Sequence, residues 1–129
     1  MLTRRTLLAA TAASLLPLPA FAMPAAAAFE RAAFEAAQAS GKSILVEIHA
    51  TWCGTCKIQS VVLKDLLKKD AYKAFVVLRV DFDDQKPEVK AFGADMQSTL
   101  IVYKGKTEMA RVVGATGNEA LDDLLKTAI

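Results

Sequence analysis

Two cysteines placed three positions apart, directly after an apolar run, leave a chain few uses for them. Here they are Cys53 and Cys56 in Trp52-Cys53-Gly54-Thr55-Cys56-Lys57, and the 129-residue sequence has no third. If the segment after Cys53 is helical, this spacing puts both sulfurs on one face, within reach of each other for a reversible disulfide. The first sulfur then lies at the helix N-terminus, where free N–H groups and the helix dipole favour a thiolate, the nucleophilic form. Ser43 to Ala50 (Ser-Ile-Leu-Val-Glu-Ile-His-Ala) reads as a buried strand feeding the motif. After it, Ile58, Val61, Val62, Leu63, Leu66 and Leu67 recur at helical spacing. Strand, Cys-x-x-Cys, helix is the context in which such a pair reads as redox-active. Two other uses are open. A permanent staple over so short a loop would restrain the unfolded chain little, and a structural zinc site needs four ligands where this chain has two cysteines and one histidine.

The remaining pattern is that of an α/β domain. Phe29 to Ser40 reads as a helix with Phe29, Ala33 and Phe34 toward the core, ended by Gly41. The motif helix is expected from about Cys53 to about Lys69. Its polar side, marked by Lys57, Lys64, Asp65, Lys68 and Lys69, is either a solvated face or a docking patch. Phe75 to Phe82 reads as a second buried strand, Asp83 to Pro87 as a turn, and Glu88 to Phe92 as a short helix opened by Pro87. From Thr99 the alternation predicts a β-hairpin turning at Gly105-Lys106. Asn118 is expected to cap a last helix that buries Ala120, Leu121, Leu124 and Leu125. The first two strands are joined through a helix, as parallel neighbours require, and the last two pair antiparallel.

The first 22 residues read as an export signal. Arg4 and Arg5 form its charged region, Leu7 to Leu16 its apolar region, and Ala20-Phe21-Ala22 its cleavage site, with cleavage after Ala22. The uncharged run Leu7 to Ala28 is also long enough to serve as a retained membrane anchor, against which Pro17, Pro19 and Pro24 argue. Thr3-Arg4-Arg5-Thr6-Leu7-Leu8 resembles the twin-arginine signal. Residues 23–28 then form a linker and 29–129 the single domain. Of 16 basic residues two are in the leader, and the other 14 balance the 14 acidic ones. A neutral domain of this kind gives no reason to expect nucleic acid as a partner. Export to the periplasm would place the cysteine pair in an oxidising compartment.

The motif resembles the hallmark Trp-Cys-Gly-Pro-Cys-Lys of the thioredoxin family, matched at every position except Thr55, and the resemblance covers roughly residues 29–129. It implies a thioredoxin-like fold, a central mixed four-stranded sheet with helices on both faces. It also implies a monomeric thiol–disulfide oxidoreductase without cofactor, acting on disulfide-containing periplasmic proteins. Cys53 would attack and Cys56 resolve. Glu47, six residues before Cys53, stands where the family carries a buried aspartate and would take the proton of Cys56; burial should raise its pKa toward working pH. The alternative is that its side chain reaches solvent at the sheet edge. Arg79 falls near the position of the family's lysine beside that carboxylate, and a Glu47–Arg79 pair is expected. His49, the only histidine, either packs or tunes the thiolate.

Trp52, Gly54, Thr55, Ser98 and Thr99 are the residues the resemblance places against substrate, Trp52 as a flat apolar lid. Gln97-Ser98-Thr99-Leu100 stands where the family has a pattern like Ile-Pro-Thr-Leu. Ser98 thus replaces a cis-proline, and since a cis bond before another residue costs about 2.5–4 kcal/mol, a trans bond is expected. That proline shapes the substrate groove and keeps metals off the cysteines. Its loss motivates a second reading, a binding module holding a metal or a cysteine-containing partner such as apocytochrome. Between reductase and oxidase, the small core with its buried carboxylate resembles the reducing members and lacks the inserted helical domain of periplasmic oxidases. A reductase there needs re-reduction by a membrane electron donor.

Overall fold

The structure, a computed structural model, describes residues 26–129; the leader and the first half of the expected linker lie outside them. The element order is β1 (Ala27–Ala28), α1 (Arg31–Ala39), β2 (Ser43–His49), α2 (Gly54–Leu66), a 3-10 turn (Asp70–Tyr72), β3 (Val76–Asp81), α3 (Lys86–Ala91), β4 (Thr99–Lys104), β5 (Thr107–Val113) and α4 (Asn118–Lys126). The strands form one sheet in the order β1-β3-β2-β4-β5. β1 and β2 run parallel to β3, while β4 is antiparallel to both β2 and β5. The mixed sheet is therefore as expected, with one strand more. Ala27 and Ala28, at the end of the segment read as linker, pair with Leu78 and Arg79. Two alanines carry no strand signal of their own, and the open edge of β3 supplies their partner.

Alternation along β2 divides the interior in two, because successive side chains of a strand point to opposite faces. Leu45 belongs to one cluster with Leu63 and Leu66 of α2 and Leu121 and Leu125 of α4. Ile44, Val46 and Ile48 belong to the other, with Phe34 of α1 and Val89 of α3. Glu47 shares the face of Leu45, so the one carboxylate of β2 points toward α2.

Helix ends follow local chemistry. After α1, the Gly41 N–H donates to the Gln38 carbonyl and the Lys42 N–H to that of Ala37, at 3.0 and 3.1 Å, with Gly41 at φ 68°. This reversal needs the left-handed backbone that glycine adopts without strain. The cap of α4 is Gly117 rather than Asn118, which is the first helical residue and makes no side-chain cap. Ala33 and Ala120, expected in the core, are exposed, as are Ile58 and Val61 on α2. With 3.6 residues per turn, the buried stripe of α2 runs through Cys56, Gln59, Leu63 and Leu66, and residues 58 and 61 fall on the opposite side.

Candidate active site

β2 ends at His49, and the chain reaches α2 through Ala50 to Cys53, with Cys53 as its N-cap. Cys53 and Cys56 are joined in a disulfide whose Cα atoms lie 5.3 Å apart. The Cys56 N–H donates to Cys53 Sγ at 3.1 Å. That donor belongs to the first turn of the helix, where backbone N–H groups have no intrahelical acceptor. After reduction the same sulfur would lie against these groups and the positive end of the helix dipole, which favours its thiolate.

Cys53 is buried, at 5%. It packs with Ala50, Cys56 and Phe82. Gly54 beside it is exposed and Thr55 half-buried. Trp52 is 60% exposed. Its indole N–H donates to Asp83 Oδ2 at 2.7 Å, and the Asp83 loop is itself folded by the Asp83 and Asp84 N–H groups donating to Asp81 Oδ1. The indole is thus fixed at the rim of the pair, presenting a flat face to solvent.

Glu47 is buried and does not reach solvent at the edge. Arg79, directly across from it in register on β3, donates Nε–H to Glu47 Oε2 at 2.8 Å. Burial raises the Glu47 carboxyl above its ordinary range, and the Arg79 charge and hydrogen bond pull it partly back. The same guanidinium donates from Nη2 to Ser60 Oγ at 2.9 Å, and Ser60 donates to the Cys56 carbonyl at 2.9 Å. A continuous chain of hydrogen bonds therefore joins the buried carboxylate to the turn of α2 that carries the second cysteine. His49 lies apart from this chain. Half-buried opposite Asp81, it lines a cavity of about 220 Å³ with Arg79, Asp81 and Gln85. Burial and Arg79 lower its pKa, against the opposing pull of Asp81, and so favour the neutral imidazole.

The bond before Ser98 is trans, and Ser98 takes φ 59°, the left-handed region unusual for a residue other than glycine. Three hydrogen bonds to its backbone hold it there, two from or to other backbone groups and one from a side chain. Its N–H donates to the Ile48 carbonyl at 2.8 Å, and its own carbonyl accepts from Gly114 N–H at 3.0 Å and from Gln59 Nε2 at 3.1 Å. Gln59 donates a second bond to the Ala115 carbonyl at 2.9 Å, so this buried amide ties α2 to the segments before β4 and after β5. Thr99, also buried, donates to the Met96 carbonyl at 2.7 Å. Ser98 and Thr99 are therefore both buried and held by hydrogen bonds to backbone groups.

Sequence reasoning missed Gln59, Ser60 and Asp83. For Gln59 the signal was a polar residue on the stripe defined by Cys56 and Leu63. Ser60 and Asp83 are ordinary surface types and carried none. Among the described residues no cluster of three or more His, Cys, Asp and Glu side chains is placed to hold a metal.

The description of the family Thioredoxin matches residues 25–127. A thioredoxin H-type from Fagopyrum esculentum is 33% identical over 88 residues, 68% of this chain and 74% of that protein. The crystal structure of Trxlp from Edwardsiella tarda superposes with a TM-score of 0.74 at 40% identity, covering 77% of this chain and 98% of the other. Thioredoxin NaTrxh from Nicotiana alata gives a TM-score of 0.68 at 29% identity, over 79% and 91%. With the fold, the strand–Cys-x-x-Cys–helix junction and the whole described domain in agreement, the chain belongs to the thioredoxin family as a thiol–disulfide oxidoreductase that acts on disulfide-containing proteins through its own cysteine pair.

Proposed function

We propose that the chain is an exported, periplasmic reductase of protein disulfides. The observation that carries the chemistry is the placement of Cys53 as N-cap of α2, its sulfur against the Cys56 N–H. Cys53 thiolate attacks one sulfur of the substrate disulfide, forming a mixed disulfide and releasing a substrate thiolate. Cys56 then gives its proton to Glu47, attacks Cys53 Sγ, and expels the second substrate thiolate. Two electrons pass to the substrate, and the Cys53–Cys56 disulfide is the product state. Glu47 suits the proton-accepting role because its burial brings the carboxyl nearer working pH. The exposed Trp52, with Gly54, Thr55 and the backbone at Ser98 and Thr99, offers the surface on which substrate rests. Two electrons must be returned by a donor, and in the periplasm that donor is a membrane protein.

The leader supports the compartment: charged, apolar and small-x-small regions follow in the order of an export signal. Expression of the full chain in a bacterial host should release a mature form beginning at Met23 into the periplasm; retention in the cytoplasm would overturn the location. Cys53→Ser should abolish insulin reduction driven by a chemical dithiol. Cys56→Ala should instead accumulate covalent adducts at Cys53 in a periplasmic extract, since the mixed disulfide can no longer be resolved. Turnover that survives Cys53→Ser would overturn the mechanism.

A further inference from the structure

Ser60 lies on α2 one turn beyond Cys56, and its single hydroxyl proton is committed to the Cys56 carbonyl at 2.9 Å. The oxygen is thereby left to accept, and what it accepts is Arg79 Nη2, also at 2.9 Å. Arg79 is one-third exposed while Glu47 is 7% exposed at the side chain. The two partners are therefore unequal: the carboxylate is fixed by the sheet, and the guanidinium, on a long flexible stem, is free to swing toward the cavity beside His49 unless something holds it. Its Nε bond to Glu47 is one tether, and Ser60 is the second.

We propose that Ser60 is a positioning residue for disulfide exchange, holding Arg79 against Glu47 and so setting the pH range in which Cys56 resolves the mixed disulfide. This rests on Glu47 as proton acceptor. A buried carboxylate becomes a base only when ionised, and with Arg79 held beside it the ionised form is favoured. Without the second tether Arg79 spends part of its time in solvent. Glu47 then keeps its proton to higher pH and cannot accept the one from Cys56 at neutral pH. The other titratable or charged groups around the carboxylate are Cys56 on α2 and, at the ends of β2 and β3, His49 and Asp81; β4 presents Leu100 opposite it. None of these replaces the guanidinium, since burial and Arg79 itself disfavour a charge on His49 and Asp81 carries the wrong sign.

Ser60→Ala deletes the acceptor and leaves the helix intact, alanine being the better helix former. Ser60→Thr keeps the hydroxyl. Two readouts in the reduced full-length protein separate positioning from stability: the NMR titration of the Glu47 side-chain carboxyl, and the pH profile of insulin reduction. In Ser60→Ala the carboxyl titration moves to higher pH, the acid limb of the rate profile moves with it, and the rate at neutral pH falls several-fold but recovers in alkaline buffer. In Ser60→Thr both stay close to the parent. A Glu47 titration in Ser60→Ala that coincides with the parent's overturns the proposal. Failure of the underlying reading looks different: if Glu47→Gln keeps the parental rate at every pH, Glu47 is not the proton acceptor, whatever Ser60 does to its titration.

Discussion

Ser98 stands where the resemblance to the family puts a groove proline, and its backbone adopts a trans bond and a left-handed φ. A left-handed φ costs a non-glycine residue about 1–2 kcal/mol, and three hydrogen bonds hold the strain in place. Restoring proline here should therefore not restore stability. The ring fixes φ near about −65° and removes the N–H, which now donates to Ile48. Ser98→Pro should destabilise the domain by about 2 kcal/mol or more. Ser98→Gly relieves the strain but adds freedom to the unfolded chain, which offsets part of the gain, and should stay within about 1 kcal/mol of the parent. Urea unfolding midpoints of the three proteins test this, and a proline variant as stable as the parent would refute it. The trans bond was legible in the sequence, because only proline makes the cis form cheap. The φ of 59° was not, since it is imposed by Gln59, Ile48 and Gly114 from three distant segments. Glu47 and Arg79 were legible for the opposite reason: each is a lone charge in a strand of apolar neighbours, and such charges require a partner.

At the scale of elements, strands announced themselves when they carried their own apolar runs. β2, β3 and β4 did so, whereas β1 exists only because β3 has an edge to pair with. The extent of α2 was also overread. Its apolar residues continue to Leu67, but the helix stops at Leu66, and the chain passes into the 3-10 turn that delivers Tyr72 to α4. Tyr72 is buried, and its hydroxyl donates to Asp122 Oδ1 at 2.8 Å; Lys69 and Lys126 bind the same carboxylate. Lys69, read as part of an open lysine face, is thus engaged in fastening the two helices. Burial and the neighbouring carboxylate push the Tyr72 hydroxyl up to about 12, so it remains a donor throughout the working range. Tyr72→Phe keeps the ring and its edge-on contact with Phe75, and removes only this link. It should cost about 1.5 kcal/mol of stability while insulin reduction per folded molecule is unchanged. Loss of turnover beyond the unfolded fraction would show that the α2–α4 junction reaches the cysteines.

Across the whole molecule, two carboxylates set opposing pH dependences. Asp122 is held well below its ordinary range by hydrogen bonds from Lys126, Tyr72 and Lys69, so the stability it adds is present above its unfolded pKa and is lost as pH falls through the folded one. Glu47 is shifted upward by burial. Between its unfolded and folded pKa the folded state keeps a proton that the unfolded state has released, so stability falls as pH rises across that window, and the penalty is complete above it. Once ionised, Glu47 is thus a destabilising charge that the proposed proton transfer needs, the kind of trade that functional sites commonly make. Glu47→Gln removes this titration while its amide oxygen can still accept from Arg79, whose one-third exposed side chain also has access to water. The difference in unfolding free energy between variant and parent should therefore change in the variant's favour as pH is raised from acid to neutral, and level off beyond. Taking the difference at each pH cancels Asp122, which both proteins share. Denaturant titrations in matched buffers measure it. A difference that is flat with pH, or that moves in the parent's favour, would mean that Arg79 offsets the burial of Glu47 completely, and that the carboxylate is ionised in the folded protein at no cost to stability.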